Sequence, residues 1–345
     1  MILILKRLSF LFLVILIGYA FVGESKSWKL RETTITKSNL ATVLRSLGDE
    51  PLIHKMESYD SKLAEVGEQL IKTGKANYKD KKGKRISSYF QCIDCHSLEK
   101  ETNSLTELDP QKRLDFSIAN NKPFYPASTL YGLYNRTSFY NDDYYKKYGD
   151  LVIDAKDSIE NAIQLCAEFC ASGRPLEDWE LSAMLHYFKR EELKMGDLDF
   201  TESELTEISN ALDNKGENSV AIETIKSKYI QAYNATFTGT LPEKDRKYGA
   251  EGNPENGKKI YDASCIFCHG NSRVTYLNLD HDVLSGKYLW SNKEGYDDES
   301  IYQVIRWGTY PITGRQQYMP LYTEERMTDE QLEDLMAYIK QLARK

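Results

Sequence analysis

Apolar positions recur at helical spacing in two stretches that can be laid over one another. Leu181, Met184, Leu185 and Phe188 fall at i, i+3, i+4 and i+7, and Leu332, Leu335, Met336 and Ile339 repeat the pattern. That period predicts two amphipathic helices, each burying one stripe. Setting Tyr187 on Tyr338 also superposes Leu181 on Leu332, Phe188 on Ile339 and Lys189 on Lys340. Thr328 with Gln331 reads as a capping box for the later helix. Thr201 with Glu204 is a second box, ahead of Leu205, Ile208 and Leu212 and a stop at Gly216. Val220 to Tyr233 is another helical stretch. Further helices are expected to open at Gly67-Glu68-Gln69-Leu70-Ile71 and at Gly257-Lys258-Lys259-Ile260-Tyr261, the second running directly into Cys265.

The N-terminal pattern is different. Lys6 and Arg7 precede an apolar run from Leu8 to Val22, broken only by Ser9 and Gly18. The run sits at the upper end of a signal-peptide core and is short for a membrane span. Gly23-Glu24-Ser25 offers a small-x-small cleavage site. A cleaved signal peptide and a retained membrane anchor both remain open, and both predict export to the periplasm.

Export makes disulfides the default for paired cysteines, and here the pattern argues otherwise. Cys92-Ile93-Asp94-Cys95-His96 and Cys265-Ile266-Phe267-Cys268-His269 each place a histidine directly after the second cysteine. Chance would supply roughly 0.002 such matches in a chain of this composition. Two thiols three positions apart on one helical turn can add to the two vinyl groups of a haem, and the adjacent histidine then serves as an iron ligand. A zinc ribbon would want its cysteine pairs about 15–20 residues apart, and Cys95 and Cys265 are far more distant in sequence. A thioredoxin-type pair would need a βαβ pattern, which is absent. The expected cofactors are two covalently bound haem c groups, attached through Cys92, Cys95, Cys265 and Cys268, with His96 and His269 on iron.

Each iron's sixth ligand should come from between its motif and its last helix. In the second half Met319, followed by the stiffening Pro320, is the expected thioether ligand. Met327 abuts the helix cap, and Met336 lies on the apolar stripe. The first half has no methionine in the corresponding stretch. Met184 belongs to the core stripe, and His186 falls on the polar face, where exposure is expected. Cys166 and Cys170 occupy the right stretch, and spacing leaves them both open as thiolate ligands. A disulfide between them is the remaining alternative, although an i, i+4 pair on a helix fits disulfide geometry poorly.

The length of 345 residues suggests two domains. A hydrophobic share of 41%, a charged share of 28% and a mean hydropathy of −0.55 are those of a folded globular chain. A net charge of −7 argues against nucleic acid as a partner. The architecture predicted is all-α: two class I cytochrome c-like domains, each with one covalent haem, joined by a helical linker. The boundaries are 1–25 for the signal peptide or anchor, 26–195 for domain 1, 196–250 for the linker and 251–345 for domain 2.

The segments Gly67 to Lys75, Cys92 to His96, Tyr125-Pro126, Asn161 to Cys166, Gly173-Arg174-Pro175-Leu176 and Glu180 to Tyr187 resemble the dihaem thiosulfate dehydrogenases and the related A subunit of the Sox sulfur-oxidation system. The likeness covers roughly residues 65–190, and more loosely the generic cytochrome stretch 251–345. It implies a haem held by His and Cys at which sulfur chemistry takes place. By position the family cysteine falls on Cys166, with Cys170 one turn later where the dehydrogenases tend to have Ser. Three departures bear on the substrate. Ala162 stands where a basic residue is expected, Tyr318 replaces the Lys before the ligand Met, and a Tyr- and Asp-rich insertion fills Leu130 to Leu151.

Thiolate ligation favours ferric iron and thioether ligation ferrous iron, so electrons should enter at the first haem and leave through the second. Two function classes follow. One is a sulfur-compound oxidoreductase with Cys166 as the catalytic candidate and a small sulfur anion as substrate. The other is a pure electron carrier serving a soluble or membrane-bound redox partner. A dihaem peroxidase is weaker, since no distal acid/base set surrounds either motif. Arg136, Lys156 and Arg174 are the basic residues to test against an anion. His54 has no partner pattern. The tyrosines at 134–148 fit a cleft lining and a self-packed surface loop equally well.

Overall fold

The computed structural model describes residues 34–54, 56, 58–295, 299–309 and 319–345. The apolar run at 8–22 and the cleavage site at 23–25 lie outside the described residues, as does Tyr318. Among the described residues the chain is helical and has no strands, in keeping with the all-α expectation. No helix among them is long and apolar enough to cross a membrane.

The chain divides into two compact units. In the smaller, residues 34–50 fold with 193–228. The amide of Leu40 donates to Leu193 O at 2.8 Å, that of Met195 to Ser38 O at 3.0 Å, and Lys226 pairs with Asp49 at 2.6 Å. The expected capping box is formed there: Thr201 Oγ1 accepts from Glu204 N and the Glu204 carboxylate accepts from Thr201 N. This division differs from boundaries at 26–195, 196–250 and 251–345. Residues 196–228 of the presumed linker fold with 34–50, a segment far earlier in the chain, a pairing that local pattern cannot reveal.

The larger unit, 51–192 with 229–345, contains both Cys-x-x-Cys-His motifs. Within it, the helix Ser61–Thr73 starts at an Asp60 cap that accepts from Lys62 N and Leu63 N, and ends at the left-handed Gly74. Its Leu70 and Ile71 bury against Ala183, Met184, Tyr187 and Phe188 of the helix Asp178–Arg190. The second half repeats this arrangement. The helix Pro254–Ile260 packs on Asp329–Leu342, whose Leu332, Leu335, Met336 and Ile339 are all buried in one core. The Thr328–Gln331 box caps that last helix, as expected.

The crossing points are equivalent. A side chain at Gly67 would drive its Cβ into Ala183 O, and one at Gly257 would drive it into Asp334 O. Under the register that sets Tyr187 on Tyr338, Ala183 falls on Asp334. Both crossings therefore bring two helix backbones together at a glycine, in the same register.

The two halves share more than a border. Leu114 and Phe124 of the first half are fully buried in the core of the second. Phe124 N donates to Ala263 O at 2.9 Å, and Tyr322 Oη donates to Phe124 O at 2.8 Å. Asp94, inside the first motif, pairs with Arg273 just beyond the second at 2.8 Å.

Candidate functional site

Cys92 to Cys95 form a single helical turn. It is capped by Asp94, whose carboxylate accepts from Gln91 N at 2.8 Å. Both thiols line an open cavity of about 230 Å³. Burial pushes the Cys92 thiol up to about 11 and that of Cys95 well above its usual value, so both are neutral thiols. His96 lines the same cavity, with Nδ1 2.6 Å from Ser128 O. A carbonyl only accepts, so Nδ1 carries the proton and Nε2 keeps its lone pair for coordination. Burial lowers the His96 pKa and holds the ring neutral. This is the orienting contact that a ligating histidine requires.

The loop presenting Ser128 is gripped by three arginines. Arg113 donates to Tyr125 O at 3.1 Å, and Arg326 donates to Tyr125 O at 3.0 Å and to Ala127 O at 2.6 Å. Arg136 donates to Ser128 Oγ at 3.2 Å and to Thr129 O. All three side chains are buried and line the cavity.

Residues Cys166–Cys170 form a wide turn in which Ala171 N reaches back five residues to Cys166 O at 2.8 Å. Such a bulge re-aims side chains that a regular helix would space differently. Both cysteines line the cavity as free thiols, and they are hydrogen-bonded to one another. Their environments differ. Hydrogen bonding to Cys170, with burial, raises the Cys166 thiol. The bond from Cys166, the ammonium of Lys147 and the hydroxyls of Tyr140 and Tyr148 lower that of Cys170 against its burial. Lys147 in turn donates to Trp307 O, and burial brings its own pKa down to about 8.

The Tyr-rich insertion does both things sequence allowed. Tyr140, Tyr144 and Tyr148 line the cavity and pack on one another, edge to face for Tyr140–Tyr144 with centroids 4.8 Å apart and stacked for Tyr144–Tyr148 at 6.2 Å. Of the three basic residues expected near an anion, only Arg136 lines the cavity. Arg174 is held by Glu180 through two bonds of 2.7 Å, and Lys156 pairs with Asp142 at 2.6 Å. Arg113, Arg326 and Lys147 were missed from sequence, because each reaches its place through contacts distant along the chain. His186 is buried rather than exposed: its Nδ1 accepts from Asp60 N at 3.0 Å, an amide 126 residues away. His54 Nε2 lies 2.7 Å from Tyr134 O.

The second motif is built on the same logic. Cys265 ends a wide turn at 261–265, and Cys268 follows in the turn Ile266–His269. Burial pushes their thiols up to about 12 and about 11. His269 Nδ1 lies 3.1 Å from Leu277 O, which again leaves Nε2 for coordination. Met319 packs on the same core as Cys265 and Leu277. Thr309 fixes it from both sides: Thr309 N donates to Met319 O at 3.1 Å, and Thr309 Oγ1 accepts from Met319 N at 2.7 Å. Met327 and Met336 are core residues, exposed by 1% and 0%. Among the described residues, no group of three or more His, Cys, Asp or Glu is arranged for a bare metal ion. The donor sets present, two neutral thiols beside a histidine with one free nitrogen, suit covalent haem.

Residues 252–339 match the family model described as cytochrome c oxidase, cbb3-type, subunit III. No curated protein and no solved structure matches the chain. The matched segment holds Cys265, Cys268, His269 and Met319 and most of the last helix. The chain thus carries a c-type cytochrome domain, the kind that binds haem c covalently and transfers electrons.

Proposed function

We propose that the protein is a periplasmic dihaem cytochrome that passes electrons from a low-potential first site to a high-potential second site, oxidising a small sulfur compound such as thiosulfate at the first. The observation that carries the dihaem reading is the repeated histidine lock. His96 on Ser128 O and His269 on Leu277 O each present Nε2 beside a Cys-x-x-Cys turn, and each turn lies in sequence between the two helices of a crossing built on an equivalent glycine. Cys92 and Cys95 hold the first haem and Cys265 and Cys268 the second; bound there, each would supply a one-electron redox centre.

His96 and Cys166 ligate the first iron, and His269 and Met319 the second. The Cys166 thiolate favours the ferric state and the Met319 thioether the ferrous state, which sets the direction of electron flow. Support for a cysteine ligand comes from the wide turn whose two thiols line the same cavity as His96. The sulfur reading rests on that turn together with the family likeness of residues 65–190. The second reading is a pure electron carrier between a donor and a terminal oxidase or reductase. It is favoured by the joining of both motifs in one unit, with Asp94 bonded to Arg273.

Rapid mixing of the oxidised holoprotein with thiosulfate separates the two. Fast haem reduction that is lost in Cys166→Ala supports the enzyme. If ascorbate reduces both haems while thiosulfate and sulfite leave them ferric, the sulfur chemistry is withdrawn and the carrier stands.

A further inference from the structure

The cavity at the first motif has an unbalanced charge. Arg113, Arg136 and Arg326 line it with exposures of 4%, 5% and 8%. Against these three guanidinium groups stands one equally buried carboxylate, Glu101, which takes Arg326 at 2.9 Å. The other charged groups on the cavity wall do not redress the balance. Glu107 is paired with Lys112 at 2.7 Å, and the negative charge of Glu325, held by the neutral Thr236 N at 2.9 Å, is offset by the positive charge of Lys100. Burying unpaired guanidinium charge is costly unless an anion compensates it.

Two atoms point to where that anion belongs. The Nε–H groups of Arg113 and Arg326 are buried without a hydrogen-bond partner, although both Nη atoms of Arg113 and Nη2 of Arg326 are used on backbone carbonyls. Buried donors are otherwise almost always satisfied. A guanidinium edge presents its donors in a fork that matches a carboxylate.

We propose that Arg113, Arg136 and Arg326 form a carboxylate site for the propionates of the haem held by Cys92 and Cys95, with Arg326 contributed by the other half of the chain. The site rests on the dihaem reading and extends it, since the second half then completes the first half's cofactor pocket. Occupancy would tie the Tyr125–Thr129 loop, and through Ser128 O the orientation of His96, to the same ionic contacts. Arg326→Met and Arg113→Met should each leave an unpaired propionate.

Resonance Raman spectroscopy of the holoprotein, poised so that only the second site is reduced, isolates the propionate bending bands of the first. In wild-type protein these bands should respond to D2O exchange of the guanidinium protons. In Arg326→Met they should shift, and the first midpoint potential should fall while the second stays put, because a positive charge beside the ferrous state has been removed. Arg326→Lys, which keeps the charge and loses the fork, should restore the potential but not the bands. Wild-type bands insensitive to D2O would overturn the site without recourse to a variant. So would unshifted bands in a two-haem Arg326→Met protein, including the case where sulfite or thiosulfate binding alone weakens and the anion is a free oxyanion. An intact mass with one haem would instead overturn the dihaem reading, and this site with it.

Discussion

The two halves of the larger unit solve one problem with different materials. Each crosses two helices at a glycine, Gly67 over Ala183 and Gly257 over Asp334. Each locks a histidine through Nδ1 to a backbone carbonyl. Beyond the histidine they diverge. The second half offers Met319, pinned by the amide and the hydroxyl of Thr309. The first offers a wide turn with two thiols, walled by tyrosines and approached by a buried lysine. On the proposed dihaem reading, common structure lies where a haem would be gripped, and difference where its potential and its access would be set. The second half carries the match to a c-type cytochrome domain, and the proposed function makes the first the same domain opened for chemistry.

The strongest challenge to the likeness is steric. Gly67→Ala and Gly257→Ala each force a methyl into a carbonyl of the crossing helix, and each should cost about 1–3 kcal/mol or more. Chemical denaturation should show similar losses for both, and a loss in only one would break the structural equivalence. The ligands should sharpen the contrast. Cys166→Ala should raise the first midpoint and Met319→Ala lower the second, narrowing the gap by at least about 59 mV, a tenfold change in equilibrium constant. A spectroelectrochemical titration in which neither variant narrows the gap would remove the ligand assignment.

Smaller effects probe the seam between the halves and the difference in their titration. Asp94→Asn breaks the ion pair with Arg273, which is partly solvent-exposed, and should cost no more than about 1 kcal/mol. His186 occupies the position that Ala337 fills in the second half, and burial holds its pKa below 6.5. The unfolded chain therefore binds a proton there that the folded one resists, so stability is full above pH 6.5 and declines as pH falls through the window beneath it. His186→Gln should flatten that acid slope in denaturation curves taken across the window. An unchanged slope would assign the acid sensitivity elsewhere.

What could be read from sequence was whatever is encoded locally. The cores of Asp178–Arg190 and Asp329–Leu342, two capping boxes and both Cys-x-x-Cys-His motifs all lie within a few residues of their own signals. Met184 and Met336 were recognised as core because helical period fixes the face they occupy. Long-range contacts were not legible. Arg326 reaches Glu101 across 225 residues, and nothing near either marks the pairing. His186 sits on a face that looks polar in the helical pattern, yet an amide far away in sequence covers it. The wide turn at Cys166–Cys170 is likewise unmarked in the sequence, since a five-residue backbone bond leaves no composition signature. The pairing of 34–50 with 193–228 is a further case, and it redraws the division of the chain.

The central claim is that both motifs carry haem, and the intact mass of the purified holoprotein tests it most directly. The account predicts a polypeptide bearing two covalent haem groups, one recovered on the peptide with Cys92 and Cys95 and the other on that with Cys265 and Cys268. A single haem, confined to the second peptide, would contradict it and leave the first half a cytochrome-like shell without its redox centre.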